Sequence, residues 1–411
     1  MTFARSRRGI YTTLCAEVLF PLHEALKRHD TVARRRALER SQWWSPEQLE
    51  RFRLRRLQNF LVRVGASVPY YAELFRNVGF DGTITSLRDL AHLPFLTKAI
   101  IRANIERLRA RDAHDLRPYN TGGSSGEPLV FLIGRERTSH DVAAKWRALR
   151  WWGVDIGDPE VVVWGSPVEL SAQDRLRNLR DRLLRSTLLP AFDLTEATLD
   201  RFVATLLRKR PAVVFGYPSV LALIARHSTR RGQPLADVGI RVAIVTAERL
   251  YPEQRESIAR VFGCAVANSY GSRDAGFIAQ ECPAGGMHVS AEDIIVEIVD
   301  ATGRPLPPRV PGEIVVTHLA TGSFPFLRYR TGDIGMLEER RCPCGRGLPL
   351  LGELQGRTTD FVVARDGTVM HGLALIYVIR ALHGIEQFQI IQESVDRTCV
   401  RVVPGDGFDE S

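Results

Sequence analysis

A chain of 411 residues exceeds a single ordinary core, so two or three domains are expected. A hydrophobic content of 45% and a charged content of 25% describe a globular protein and rule out a disordered one; no apolar run is long enough to cross a bilayer as a helix. Net charge is +9, and the excess sits at the front, where residues 1–60 hold 13 Lys and Arg against 6 Asp and Glu.

Residues 1–62 read as basic amphipathic helices, with Ser45-Pro46 as cap and first turn of one of them. The stretch to Phe20 is broken by Glu17 and has no clear cleavage site, so a signal peptide is not expected and the expected location is the cytoplasm. The arginines at 34–36 and 53–56 fit either a solvated helix face or a contact with an anionic membrane surface or acidic partner. No nucleic-acid-binding module accompanies them. Val68-Pro69 breaks the helix, and short helices separated by the Leu93-Pro94-Phe95 turn follow. Next comes a Gly/Ser stretch from Tyr119 to Leu129, an apolar run to Ile133, and a helix from Arg137 to Trp152 that ends at Gly153.

From 161 onward, β-rich runs at 161–164, 213–215, 241–245 and 264–267 alternate with helical segments. That alternation predicts an α/β fold with a mostly parallel sheet flanked by helices, and it places function in the loops after the strand ends. After Gly276 the pattern becomes antiparallel β, at 288–290, 294–298, 312–317 and 326–329. A boundary near Gly356 leaves a small, shortened α+β C-terminal domain at 357–411, behind a core domain at 63–356.

Two stretches carry chemistry on their own residues. Glycines let the backbone of Thr121, Gly122, Gly123, Ser124, Ser125 and Gly126 approach a ligand, and successive N–H groups there form an anion nest suited to a polyphosphate. No Gly-Lys-Ser/Thr ends this loop, so it is not a Walker A loop, and a flexible turn is the plain alternative. Cys282, His288, Cys342 and Cys344 match the donor set of a closed, structural Zn2+ site; reduced cysteines lying near one another are the other reading.

Four pieces in order, the Gly/Ser loop, Tyr270-Gly-Ser-Arg-Asp274, Tyr329-Arg-Thr-Gly-Asp333 and Gly356-Arg-Thr-Thr-Asp360, resemble the adenylate-forming superfamily of acyl-CoA ligases. The branch is that of phenylacetate–CoA ligases with their capsular-polysaccharide and coenzyme F390 synthetase relatives, and the resemblance runs from about residue 42 to 392. It implies ATP, Mg2+ and a carboxylic acid as reactants, with CoA as acceptor. Thr121 to Gly126 would hold the β- and γ-phosphates, Asp333 the ribose hydroxyls, and Arg357 a second ribose and phosphate contact. Ala247, Glu248 and Arg249 would flank the adenine, with Tyr270, Gly271 and Ser272 beside it. Tyr217, Pro218, Tyr270, Gly271 and Phe277 would line the acid pocket, and Asp360 would be the hinge of the small domain.

Three departures bear on catalysis. Asp274 stands where a magnesium-binding Glu is usual, Arg273 replaces the hydroxyl residue before it, and no lysine follows Lys209 although the family places a catalytic one near the C-terminus. The C-terminal domain, truncated or naturally shortened, is expected to be about half the usual size. Two functions therefore stay open. One is an AMP-forming acid–CoA ligase. The other is a catalytically impaired nucleotide-binding homologue acting in polysaccharide biosynthesis or as a scaffold. A homodimer is also left open.

Overall fold

The computed structural model describes residues 9–121, 129–165 and 180–357 apart from 115, 192 and 193, and beyond these residues 361–363, 365, 369–371, 375, 378–379, 382, 384–405 and 407–408. Residues 9–120 and 129–356 group into one large compact unit; Thr121 groups with the residues from Arg357 onward in a smaller one.

A short hairpin comes first, β1 (Arg117–Asn120) and β2 (Val130–Ile133), paired from Asn120–Val130 to Arg117–Ile133. In sequence, the Gly/Ser stretch is therefore the hairpin's connection. The main sheet is built from β3 (Glu160–Trp164), β4 (Ser186–Pro190), β5 (Val213–Gly216), β6 (Val242–Thr246) and β7 (Ala265–Ser272), then β8 (Gly276–Glu281), β9 (Met287–Val289), β10 (Ile294–Val299), β11 (Gly312–His318), β12 (Phe326–Glu338) and β13 (Leu350–Arg357). Among the described residues these eleven form one sheet in the order β10-β11-β12-β13-β9-β8-β7-β6-β5-β3-β4. Strands β4, β3, β5, β6 and β7 run parallel, and β8 turns back antiparallel on β7. The expected change of style after Gly276 is thus a change of strand direction within a single sheet.

The parallel strands are apolar on both faces because helices cover both. Val161, Val163, Val214, Ala243, Val245 and Val266 share a core with helices Glu196–Lys209, Pro218–Arg230 and Pro252–Phe262. On the other face Val213, Val242, Ile244 and Ala267 meet Trp146 and Leu149 of helix Arg135–Trp151, together with Cys15, Ala16 and Phe20. Strand β4 was not legible in the sequence. It is an edge strand with one buried side chain, Leu189, and it follows Arg185 at φ 58°.

Ser45 caps helix Pro46–Ser67 as predicted: its hydroxyl accepts from the Gln48 N–H at 3.3 Å, and the Gln48 side chain accepts from the Ser45 N–H at 3.0 Å. Leu49, Leu57, Phe60, Leu61 and Val64 bury one face of it. Val68 is extended (φ −104°, ψ 112°) and helix Pro69–Asn77 starts anew, as a residue before proline requires. Part of the N-terminal positive charge is paired or buried. Arg34 pairs with Asp30 and Glu136, Arg56 with Asp293, and buried Arg35 lies 3.7 Å from Glu39. Among the described residues no helix is long and apolar enough to cross a membrane. The small unit contains two antiparallel pairs, β14 (Phe361–Val363) with β15 (Val369–His371) and β16 (Ile385–Ser394) with β17 (Arg397–Pro404).

The buried pair Arg147–Glu292, 2.7 Å apart, ties the central helix to the loop before β10, and Ser41 also donates to Glu292 at 2.6 Å. Removing one partner leaves a buried charge uncompensated. Glu292→Leu is expected to lower stability by about 3 kcal/mol in chemical denaturation, and adding Arg147→Met to recover most of that loss.

Candidate functional site

The ends of the parallel strands gather the first group of predicted residues. Trp164 at the end of β3 stacks on Tyr217, which follows β5, with ring centroids 4.5 Å apart and planes 11° apart. Gly216 is required there: a Cβ would sit 2.9 Å from the Val163 carbonyl oxygen. After β6 the chain passes through Ala247 at φ 70°, a left-handed conformation that costs a non-glycine residue on the order of 1 kcal/mol. That turn brings the Glu248 carboxylate to the N-terminus of helix Pro218–Arg230, where it accepts from the Ser219 N–H at 3.1 Å. Burial nevertheless pushes its pKa up. Arg249 lies over the Tyr251 ring, 5.2 Å from its centroid, and donates to Glu353 at 3.2 Å.

The second group centres on β7. A register shift between Tyr270 and Gly271 marks a bulge, and a Cβ on Gly271 would come within 2.3 Å of the Gly276 carbonyl oxygen, so only glycine fits. The Tyr270 hydroxyl donates to Asp333 Oδ2 at 2.9 Å, bringing together two motifs 63 residues apart. Burial, and then the Asp333 carboxylate, hold the Tyr270 hydroxyl well above its ordinary pKa. Asp333 is itself set by its N–H, which donates to Thr331 Oγ1 at 3.1 Å.

Arg273 and Asp274 point in different directions. Arg273 Nη1 donates to the backbone and side-chain oxygens of Asn120 at 3.1 and 3.3 Å, placing a guanidinium at the residue before Thr121. Asp274 is buried. Its Oδ2 accepts from the Tyr329 hydroxyl at 2.5 Å, and its Oδ1 accepts from Ser272 Oγ and from the Ala275 N–H. In this arrangement Asp274 fastens the motif loop, with both carboxylate oxygens engaged.

Sequence reasoning missed what lies under that loop. Buried Arg137 donates to the carbonyls of Asp274 at 3.0 Å and Arg273 at 3.3 Å, and to Asp141 Oδ2 at 2.7 Å. His140 and His318 close around Asp141, their rings 4.7 Å apart. A Cβ on Gly276 would strike Arg137 and Asp141. None of these residues forms a motif; only the unusual density of polar residues on an inward helix face at 137–141 hinted at them. Phe277 packs with Leu38, Ala143 and Ala144 and lines a small cavity with Lys145, Phe215, Ile244 and Ala267; Tyr217, Pro218 and Tyr270 are not in its wall.

The cysteine prediction brings four side chains together. Cys282 follows β8 in a tight turn, His288 lies in β9, and Cys342 and Cys344 precede β13, the partner of β9. Cys282 and Cys342 sulfurs are 3.6 Å apart, His288 Nε2 is 3.2 Å from Cys344 Sγ, and all four candidate donor atoms lie within 4.8 Å of one another. His288 Nδ1 faces the Leu348 carbonyl at 3.4 Å, which directs Nε2 to the sulfurs. The donor set and convergence fit a tetrahedral metal. Gly122, Gly123, Ser124, Ser125, Gly126 and Asp360, and the side chain of Arg357, lie outside the described residues.

Comparison with known proteins places these features in a family context. Residues 185–322 match the family model described as AMP-binding enzyme. Protein CapK of Staphylococcus aureus is 24% identical over 87% of this chain and 78% of its own length. A phenylacetate-coenzyme A ligase of Thermus thermophilus is 27% identical, over 79% of this chain and 73% of its own. A 2-hydroxyisobutyryl-CoA ligase, solved in complex with 2-HIB-AMP and CoA, has the same fold, with a TM-score of 0.68 and 22% identity over 89% of this chain and 81% of that one.

His318 titrates in a testable way. Burial, then Arg137, push its pKa down to about 3, so the folded protein holds it neutral while the unfolded chain binds a proton from about pH 6.5 down. The stability this supplies is complete above pH 6.5 and is lost as pH falls toward 3, by up to about 1.4 kcal/mol per pH unit. Denaturation across that window should show the slope, and His318→Gln should reduce it by one proton.

Proposed function

We propose that this chain, a member of the adenylate-forming superfamily of AMP-binding acid–CoA ligases, joins a carboxylic acid to AMP with release of pyrophosphate and passes the acyl group to CoA. The observation that carries the proposal is the Tyr270–Asp333 hydrogen bond. It unites the two motifs that would hold adenine and ribose: Asp333 offers its carboxylate to the ribose hydroxyls while Tyr270 sets an aromatic ring beside the base. Following the family resemblance, Ala247, Glu248 and Arg249 would flank the base, and Arg357 would be a second ribose and phosphate contact.

The reaction joins two anions, so positive charge at the phosphates governs its rate. The loop from Thr121 to Gly126 offers N–H and hydroxyl donors, and Leu129 stands where many relatives close it with lysine. Arg273, bonded to Asn120, supplies a guanidinium at the loop's start. Mg2+ would spread the remaining charge, and Asp274, which accepts from the Tyr329 hydroxyl, is the carboxylate that would hold it. Tyr217, Pro218, Tyr270 and Gly271 would contribute to the acid pocket, without Phe277, which lines a separate cavity, and the family resemblance makes Asp360 the pivot of the small domain. The Cys282, His288, Cys342 and Cys344 cluster would hold a structural Zn2+.

A second reading, a nucleotide-binding homologue without the ligase step, is favoured by one feature: Asp274, at the position of the magnesium ligand, has both carboxylate oxygens engaged by Tyr329, Ser272 and the Ala275 N–H. Loss of one preorganised charge costs about 3–4 kcal/mol of transition-state stabilisation. Adenylation is expected to be slow, while nucleotide binding persists.

Pyrophosphate release with ATP, Mg2+ and a panel of aryl and short-chain acids separates the two readings. Turnover with any acid supports the ligase; ATP binding with no release across the panel supports the homologue. In calorimetry, Asp333→Ala is expected to weaken ATP binding about tenfold or more. Arg273→Ala should weaken it more than removal of either loop serine. Metal analysis is expected to find one zinc per chain, with a chelator lowering Tm by several degrees; a metal-free protein with unchanged melting would remove zinc from the account.

A further inference from the structure

The N-terminal helical segment carries an exposed apolar row beside the side that it buries. It runs through Ile10–Leu14, a π-helical turn Cys15–Leu19, and Phe20–Leu26. Thr12, Ala16, Phe20 and Glu24, spaced by four, are buried, with Cys15 beside them. Two residues out of phase, Ile10, Leu14, Val18, Leu22 and Leu26, also spaced by four, are 93%, 43%, 52%, 58% and 78% exposed. On a regular α-helix, spacing by four drifts around the axis. The wider π turn takes back part of that drift, so the five side chains stay in line over about 25 Å. Scattered apolar residues on a surface need no explanation, but an aligned row of five does.

The row is held rigidly. Thr12 donates to Asp158 at 2.9 Å, the Tyr11 hydroxyl donates to the Leu183 carbonyl at 2.9 Å, and Glu24 takes hydrogen bonds from Thr31 and His29. Basic residues flank it at both ends: Arg5, Arg7 and Arg8 precede it in sequence, and Lys27 and Arg28, both exposed, follow. The exposed acid along it, Glu17, lies 3.7 Å from Arg36. This arrangement decides between occupants. A second copy laid along the row would set basic end against basic end in either orientation. An anionic bilayer surface would receive the apolar row between its headgroups and the flanking cations on its phosphates.

We propose that Ile10, Leu14, Val18, Leu22 and Leu26 form a preformed interfacial face that docks the protein on an anionic lipid bilayer, the segment lying in the surface plane. The docking is reversible and salt-sensitive, because a single row of side chains with a few cations is a weak anchor.

Sedimentation of the purified full chain with vesicles tests this. Binding is expected to vesicles of phosphatidylcholine with phosphatidylglycerol, and to be about tenfold weaker to phosphatidylcholine alone. Leu22→Glu with Leu26→Glu should abolish it at unchanged melting temperature, since both side chains face solvent, whereas Leu22→Phe with Leu26→Phe should retain it. Lys27→Ser with Arg28→Ser should weaken only the anionic component. The proposal is overturned if the wild-type chain stays in the supernatant with anionic vesicles, or if it sediments equally well with the glutamate variant. A concentration-dependent dimer in light scattering that the glutamate pair dissolves, with no vesicle binding, would assign the row to a second copy instead.

Discussion

The Arg137 guanidinium is the interaction on which the site depends. It is buried beneath the turn where β7 ends and β8 begins, and one side chain holds the Arg273 and Asp274 carbonyls and the Asp141 carboxylate. Carbonyl oxygens pointing inward at such a turn would otherwise be buried without donors. A neutral donor would satisfy one or two of them; the planar fork of arginine reaches all three acceptors, and Asp141 balances its charge. The same turn reverses the sheet's direction. Its geometry therefore fixes both where Tyr270 emerges from β7 and how β8 and β9 approach the cysteine cluster.

Most of the fold was legible because period and composition changed together along the chain. Runs of Val, Ile and Ala alternating with helical segments gave β3, β5, β6 and β7, and the Pro/Gly turns after Gly276 gave β9 to β12 but not β8 or β13. Strand β4 escaped because it buries little and ends in proline, and β1 because its four residues are all exposed. For the site, motif order pointed to Tyr270 and Asp333, which share a hydrogen bond, and donor type pointed to the four Cys and His side chains, which converge. It gave no sign that Asp274 turns inward to Tyr329, since a hydrogen bond across 55 residues leaves no local pattern. Nor did it separate Phe277 from Tyr217, because the two lie in different walls of the sheet.

The positive charge illustrates the same division. As sequence, the arginines at 34–36 and 53–56 form a patch; as structure, Arg34 pairs with Asp30 and Glu136 and Arg56 with Asp293. Partly exposed ion pairs of this kind add little net stability, but they disfavour arrangements that separate the partners. They thereby fix the register between the N-terminal helices and the sheet. What they leave outward on the first helical segment is apolar, the reverse of what composition implied.

The Cys282–Cys344 cluster has a topological consequence. Cys282 and Cys342 are 60 residues apart in sequence, and the segment between them contains β9 to β12 and hence Asp333, whereas Tyr270 lies outside it. Once the cluster closes, Asp333 travels on a cyclic piece of chain whose ends are pinned beside β8, the hairpin partner of the strand that carries Tyr270. The entropy of finding a residue 63 positions away is then largely met by closing the ring. A closed cluster would in this way shorten the loop that must be ordered to bring Asp333 to Tyr270.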